Sequence, residues 1–325
     1  MGTRLLDVID LKAYFITPRS VVKAVDGVSF HVDENETLGI VGESGCGKTV
    51  TSLAVLRLLP RPAGNIVGGQ ILFEGEDILA MTEKQLQKLR GRKISMILQD
   101  PMASLNPVFN IGNQIGEAIT THTAVKKMSL TTMVVDMLKR VKIPSPEARI
   151  RDYPHQMSGG MKQRVVGAIS ISCHPRLLIA DEPTTSLDVT IQAQYLQLLK
   201  DLQSEYGMSL IFITHDFGIV ASMCDRVMVM YAGKVVETAS VRDIFFRPVH
   251  PYTMALLKAV PKLETETDRL VSIKGQPPRL DKVPEGCSFS PRCSQAGDGC
   301  RREEPPLVQI GQNHFARCWQ SQGQS

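Results

Sequence analysis

The residues of this chain with the clearest chemical purpose are Gly42-Glu43-Ser44-Gly45-Cys46-Gly47-Lys48-Thr49, directly after the apolar run Leu38-Gly-Ile-Val41. The pattern is G-x-x-x-x-G-K-[ST] between a strand and a helical run, the setting that makes it a phosphate loop. Glycines are needed because backbone N–H groups must converge on phosphate oxygens, and a Cβ would block both the turn and the approach. Lys48 supplies a point charge to the β- and γ-phosphates, and the Thr49 hydroxyl is placed to ligate Mg²⁺. The helix beginning near Lys48 adds its dipole and its unpaired N–H groups.

A second set lies downstream. The apolar strand Leu177–Ala180 ends in Asp181 and Glu182. A carboxylate at a strand end can hold the Mg²⁺ shell, which suits Asp181. Glu182, one residue on, points to the other side and can polarise a water for in-line attack on a γ-phosphate. Ser158-Gly159-Gly160 precedes a helical run from Met161, so its N–H groups form a second anion site. Alone, Ser-Gly-Gly reads equally well as an N-cap with a flexible turn.

These groups need elements to hold them. Residues 4–15 alternate loosely, and Val25–Val32 and Leu38–Val41 read as strands around a turn at Asp33–Glu36. Val50–Leu59 is a helix ended by Pro60 and Pro62, and Gly68-Gly69 opens a strand over Gln70–Glu74. Thr82-Glu-Lys-Gln85 is a capping box for a short helix that stops at Gly91, and Ile94–Leu98 is a strand of buried type. From about 101 to 157 the periodicity turns helical, at Ile111–Ile119 and Met133–Val141, with no strand signal. This stretch is expected to be a helical subdomain inserted in an α/β body. Strands then alternate with helices to Met223, which argues for a central, mostly parallel sheet, and Val227–Tyr231 pairs with Lys234–Thr238 as a hairpin at Ala232-Gly233. Past Val260 the chain is rich in Pro, Gly and Cys, so the expected division is a body over 1–260 and an extension over 261–325.

Composition narrows the class. A hydrophobic share of 43% with 22% charged residues is ordinary for a globular protein, and no apolar run approaches a membrane span. The charged opening MGTRLLDVIDLK lacks the apolar core of a signal peptide, and Leu6 breaks the myristoylation pattern, so a cytoplasmic location is expected. A net charge of +4 from scattered basic residues gives no reason to expect nucleic acid.

The order is distinctive: phosphate loop, Gln99 after a strand, Ser158-Gly159-Gly160 before a helix, Asp181-Glu182 after a strand, Ser186-Leu187-Asp188, and His215 after the next strand. Over residues 1 to about 245 this set resembles the ATP-binding-cassette ATPases. The resemblance implies that Gly42–Thr49 bind ATP and that Gln99 senses Mg²⁺ and the attacking water. It further implies that Asp181 stands on the metal side, that Glu182 is the catalytic base and that His215 contacts the γ-phosphate. Ser158, Gly159 and Gly160 would meet ATP held on an opposite subunit, while Ser186, Leu187 and Asp188 would cross the dimer interface. Phe15, rather than Tyr14, is the implied adenine-stacking aromatic. Met157 and Met161 depart from the commonest signature, in which Leu and Gln stand at those places. Met157 conserves apolar volume, and Met161 leaves the backbone donors intact.

A closer resemblance rests on Met96–Pro107, on His250-Pro-Tyr-Thr253 and on Gly286–Cys293. Together they look like the ATPase subunits of bacterial oligopeptide, dipeptide and nickel importers. That implies a P-loop α/β fold with an N-terminal antiparallel β part, working with ATP and Mg²⁺ on the cytoplasmic face of the membrane. It also implies as partners a second related ATPase, two integral-membrane permease subunits and, outside, a solute-binding protein. Peptide cargo is favoured and nickel or another small solute is the alternative. A mechanochemical ATPase acting on ribosomes or DNA fits less well, since those usually carry two cassettes in one chain or long coiled coils.

Four of the seven cysteines, Cys287, Cys293, Cys300 and Cys318, crowd the extension at spacings C-x₅-C-x₆-C-x₁₇-C. A cytosolic compartment argues against disulfides, and a segment this poor in apolar residues cannot order itself cheaply, so a crosslink is physically attractive, with unligated thiols in a disordered tail as an alternative. Four thiolates suit zinc or a four-iron cluster, and the close C-x₂-C pairs common to both are absent. The importer resemblance favours [4Fe–4S], with zinc as the alternative.

Overall fold

The computed structural model describes residues 3–124, 127–185, 187–260 and 272–323. The dimer-interface candidate Ser186 and the first residues of the extension, 261–271, lie outside the described residues. The chain divides into two units: one built on Ala80–Ile213 with Asp33–Glu36, the other on Arg4–Val32, Thr37–Leu79 and Thr214 onward.

The second unit begins with β1 (Arg4–Ile16), β2 (Val21–Asp33), β3 (Thr37–Val41), α1 (Lys48–Val55), β4 (Gly64–Phe73) and β5 (Glu76–Asp77). Its N-terminal sheet runs β2-β1-β4-β5, with β4 antiparallel to both β1 and β5. β4 starts before Gly68-Gly69 and runs through it. The reason is a register shift in β1 between Ile9 and Lys12, where Asp10 takes φ 46°. Gly69, at φ 96°, lies against this irregularity, and a Cβ there would sit 2.6 Å from the Asp10 carbonyl oxygen. The glycine therefore permits a close backbone approach inside a strand and does not open one. α1 ends at Val55, earlier than the prolines suggest, because Arg57 has already turned to φ 52°.

The first unit carries α2 (Glu83–Leu89), β6 (Ile94–Ile97), α3 (Pro101–Ser104), α4 (Ile111–His122), α5 (Lys127–Arg140), α6 (Pro146–Arg149), α7 (Gly159–Ile171), β7 (Leu177–Asp181), α8 (Val189–Tyr206) and β8 (Ser209–Ile213). The capping box at Thr82 forms as expected, with the Gln85 amide oxygen accepting from the Thr82 N–H at 2.8 Å. Among the described residues of 101–157 every regular element is helical. β6, β7 and β8 pair in parallel. Every residue of β7 and β8 is buried, which is why these strands read as unbroken apolar runs.

The second unit resumes with α9 (Phe217–Met223), β9 (Arg226–Tyr231), β10 (Lys234–Ser240), α10 (Val241–Phe246), α11 (Pro251–Ala259), α12 (Asp298–Arg302), β11 (Val308–Gly311) and β12 (His314–Ala316). β3 pairs in parallel with β9, and the β9–β10 hairpin closes through Ala232 at φ 46° and Gly233 at φ 81°. Positive φ at both turn residues matches the right-handed twist of the flanking strands. The extension is stitched to this unit: β12 pairs antiparallel with β10, and β11 with β12. Phe289 of the extension lies in one buried cluster with Val41, Val229, Tyr231 and Tyr252.

Candidate active site

The candidate residues fall into two sets, one in each unit. In the second unit, Gly42–Thr49 joins β3 to α1 and wraps the helix start. Gly47 is the N-cap at φ 108°, and a Cβ on it would lie 2.3 Å from the Ala24 carbonyl oxygen. A Cβ on Gly42 would lie 2.3 Å from the Met230 carbonyl oxygen, so side chains are excluded at both ends of the loop. The loop is also tied to the hairpin turn, since the Gly233 N–H donates to the Cys46 carbonyl at 2.9 Å. Cys46 is buried behind it, and burial pushes its thiol pKa up. Ser44 and Gly45 are exposed, and Thr49 is half-buried.

Lys48 is 5% exposed, and its ammonium donates to the Gly42 and Glu43 carbonyls at 2.8 and 3.1 Å. An ammonium has three donors, so these two carbonyls aim the group without exhausting it. Of the two aromatic candidates, Tyr14 donates its hydroxyl to Asp26 at 2.5 Å, and burial raises its pKa to about 12. Phe15 is half-buried, with a ring carbon 3.2 Å from where a Gly64 Cβ would be. His215 is exposed and lies two residues beyond β8 in sequence.

In the first unit the sheet does the positioning. Ile97 of β6 pairs in parallel with Ala180 of β7, so Asp181, the last residue of β7, and Gln99, two residues beyond β6, both lie at the C-terminal ends of neighbouring strands. Asp181 is fully buried and Gln99 exposed. Both offer oxygen, the donor type that suits Mg²⁺. Glu182 sits at φ 45°, with its N–H donating to the Ile213 carbonyl at 2.9 Å. Its carboxylate accepts from the Thr185 hydroxyl at 3.2 Å. Ser158 caps α7 by accepting from the Met161 N–H at 3.3 Å, and Met157 before it is buried. A Cβ on Gly159 would meet nothing within 4 Å, whereas one on Gly160 would be 2.7 Å from an Ile191 methyl. Asp188 caps α8 through the Ile191 N–H at 2.9 Å, and Leu187 is half-buried.

The contacts of four residues were not legible in the sequence, although three of them lie in the motifs His250–Thr253 and Gly286–Cys293. Gln163 is 2% exposed on α7, and its amide donates to the Pro183 carbonyl, tying the Ser158 helix to the turn after Glu182. Tyr252 looks like part of a turn into a helix, yet its hydroxyl accepts the Glu43 N–H at 2.9 Å. His250 fixes that turn: its Nδ1 accepts from the Tyr252 N–H at 3.1 Å. The fourth is Arg292, which binds the Glu43 carboxylate. The motif His250-Pro-Tyr-Thr253 marked Tyr252 without its partner, and nothing near Arg292 announced its own.

All four extension cysteines line one small cavity, together with His250, Phe289 and Trp319. Burial pushes the Cys287 thiol up to about 11, and Cys300, Cys318 and Cys293 are near enough to add to the shift. The thiols are free, and among the described residues no three His, Cys, Asp or Glu side chains are set to hold a single metal ion.

The ABC transporter family matches residues 25–185, and the C-terminal region of oligopeptide/dipeptide transporters matches residues 236–300. A probable peptide ABC transporter ATP-binding protein of Sinorhizobium fredii is 51% identical over 318 residues, covering 98% of this chain and 95% of that protein. The oligopeptide transport ATP-binding protein OppD of Bacillus subtilis is 50% identical over 318 residues, covering 98% and 89%. A solved dimeric ATP-binding cassette in a post-hydrolysis state with ADP and Pi shares the fold, at TM-score 0.65 and 22% identity over 73% of this chain and 99% of that one. CbiO1 of Clostridium perfringens, part of an ABC transporter complex, superposes at TM-score 0.65 and 27% identity, covering 76% and 92%. By identity over nearly its whole length, and by the C-terminal region it carries, the chain belongs to the ATP-binding subunits of ABC transporters of the oligopeptide/dipeptide type.

Proposed function

We propose that this chain hydrolyses ATP on the cytoplasmic face of the membrane to power peptide import through two separate permease subunits, with cargo delivered by an external solute-binding protein. The observation that carries the reading is one chain joining a cassette to the oligopeptide/dipeptide C-terminal region. In the site, the phosphate loop cradles the nucleotide with Lys48 on its phosphates and Phe15 on its adenine, and Thr49 supplies a hydroxyl to Mg²⁺. Asp181 and Gln99 stand on the metal side, and Mg²⁺, when bound, offsets charge on the phosphate oxygens. Glu182 takes the proton of the attacking water, and His215 steadies the γ-phosphate.

The signature Ser158-Gly159-Gly160 serves the nucleotide of a second, related ATPase subunit, with Ser186-Leu187-Asp188 crossing to that partner. Supporting this, a Cβ on Gly159 would meet nothing within 4 Å, so the space at the start of α7 is open to a ligand from outside the chain. Val108, Phe109 and Tyr153 are 70%, 49% and 39% exposed in the helical region, an apolar surface suited to permease subunits. No described helix is long and apolar enough to cross a membrane, in keeping with peripheral attachment.

The four extension cysteines hold a [4Fe–4S] cluster that staples the extension. Supporting this is the cavity that the four thiols share, since four thiolates are the ligand set of a four-iron cluster. Anaerobic purification with iron, sulfide and zinc analysis tests it: neither metal, with full activity after all four become serine, ends this part of the reading. The whole reading is tested by uptake of labelled peptide and of nickel in cells lacking the chain. Peptide uptake is expected to vanish and to return with the wild-type chain but not with Glu182→Gln. Unchanged peptide uptake would overturn it.

A further inference from the structure

Glu43, the second residue of the phosphate loop, is gripped from two sides. Its backbone N–H donates to the Tyr252 hydroxyl at 2.9 Å. Its carboxylate takes both prongs of Arg292, one nitrogen at 2.6 Å from Oε2 and the other at 3.0 Å from Oε1. The pair joins positions 249 apart in sequence. The Arg292 side chain is 4% exposed against 27% for that of Glu43.

Arg292 is itself held rigidly. It donates to the Tyr231 hydroxyl at 3.3 Å and, through Nε, to the Lys274 carbonyl at 3.0 Å. Its guanidinium lies 5.8 Å from the Tyr231 ring centre and 5.9 Å from that of Phe289. A two-pronged arginine held this way has little freedom to lose when it orders a carboxylate. Glu43, in turn, brings a negative charge to a loop whose ligand is a polyanion. An uncompensated carboxylate there would repel the phosphates and compete for the N–H groups meant for them.

We propose that Arg292, from the C-terminal extension, is a positioning residue of the ATPase: it neutralises Glu43 and fixes the phosphate loop in its nucleotide-accepting form. This rests on the phosphate-loop reading above. It makes the extension part of the nucleotide site's machinery. Had Arg292 been only a staple for the extension, its loss would act on stability alone and regardless of what stands at position 43.

The test is a double-mutant cycle on the purified full chain, with ATP affinity read by displacement of a fluorescent ATP analogue. Arg292→Gln is expected to weaken ATP binding about tenfold when Glu43 is present, and less than about twofold in a Glu43→Gln background. In the assembled transporter, KM for ATP rises with Arg292→Gln while kcat at saturating ATP changes much less. Should Arg292→Gln not fold, Arg292→Lys carries the same cycle; one prong remains, so about a threefold loss is expected, again abolished by Glu43→Gln. An equal loss in both backgrounds, or none in either, overturns the proposal. Lys48→Ala is measured alongside: if it binds ATP as tightly as wild type, the phosphate-loop reading itself has failed and the proposal with it. If Lys48→Ala loses binding and the cycle shows no coupling, only the Arg292 proposal has failed.

Discussion

Glu182 follows β7 in left-handed backbone, φ 45°, a conformation that costs a non-glycine residue about 1–2 kcal/mol. The Ile213 carbonyl and the Thr185 hydroxyl hold it there, so the acid is aimed by the fold and not by its own preference. Glu182→Gln keeps the shape and removes the carboxylate proposed as the base. It is expected to lower turnover about 10²–10⁴-fold while ATP binding persists, measured as ATPase rate beside nucleotide affinity on the assembled transporter. Wild-type turnover would remove Glu182 from the role. Gly159 offers the complementary case. Alanine there meets nothing in the chain, so Gly159→Ala is expected to melt like wild type. If a partner's nucleotide is what needs the space, turnover in the assembled transporter nonetheless falls. Normal turnover would mean that Gly159 contacts no nucleotide. At this scale the sequence was most legible where local form is written in contiguous residues, as in the loop Gly42–Gly47 between β3 and α1. It was silent on the backbone angle at Glu182 and on Arg292 with Glu43, because neither a strained φ nor a contact across 249 positions leaves a local trace.

Among the elements, α7 couples two parts of the first unit. Ser158 caps its start, and five residues on Gln163 reaches the Pro183 carbonyl, just past Glu182. A buried amide bond of this kind is costly to break, since the carbonyl loses its donor. Gln163→Leu should therefore destabilise the protein by about 1–3 kcal/mol, read by denaturant unfolding, and slow ATP turnover more than Thr82→Ala does. Thr82→Ala, which removes only a surface capping box, should cost about 1 kcal/mol and leave ATP affinity intact. Equal turnover in the two variants would deny α7 its link to Glu182. Helices with a signature at the start, such as α2, were legible to within a residue. β4 was mistaken at its start because a glycine serving a close approach looks like a turn signal. β11 and β12, of four and three residues, are too short to show a period and owe their pairing to the edge of β10.

At the level of the whole molecule, the C-terminal region is bound into the second unit through β12, Phe289 and Arg292. Composition alone suggested an appendage, since the contacts that make it integral are each made by single residues far apart in the chain. Assembly is the next level up. If Ser158-Gly159-Gly160 serves the nucleotide of another subunit, substitutions in this chain separate into two kinds. Lys48→Ala harms this chain's own ATP affinity, whereas Gly159→Ala leaves that affinity alone and harms turnover at the partner's nucleotide. In a pair of unlike ATPases the two defects can be told apart, because each subunit's nucleotide can be followed by photolabelling with an azido-ATP and separating the chains by size. The expected outcome is that tagging this chain recovers a second, related ATPase in equal amount with both permease subunits. Lys48→Ala should then lower labelling of this chain, and Gly159→Ala should slow hydrolysis without lowering it. Recovery of only homodimers from a complete, transporting complex would sink the pairing, and loss of labelling on this chain with Gly159→Ala would show that its signature serves its own ATP.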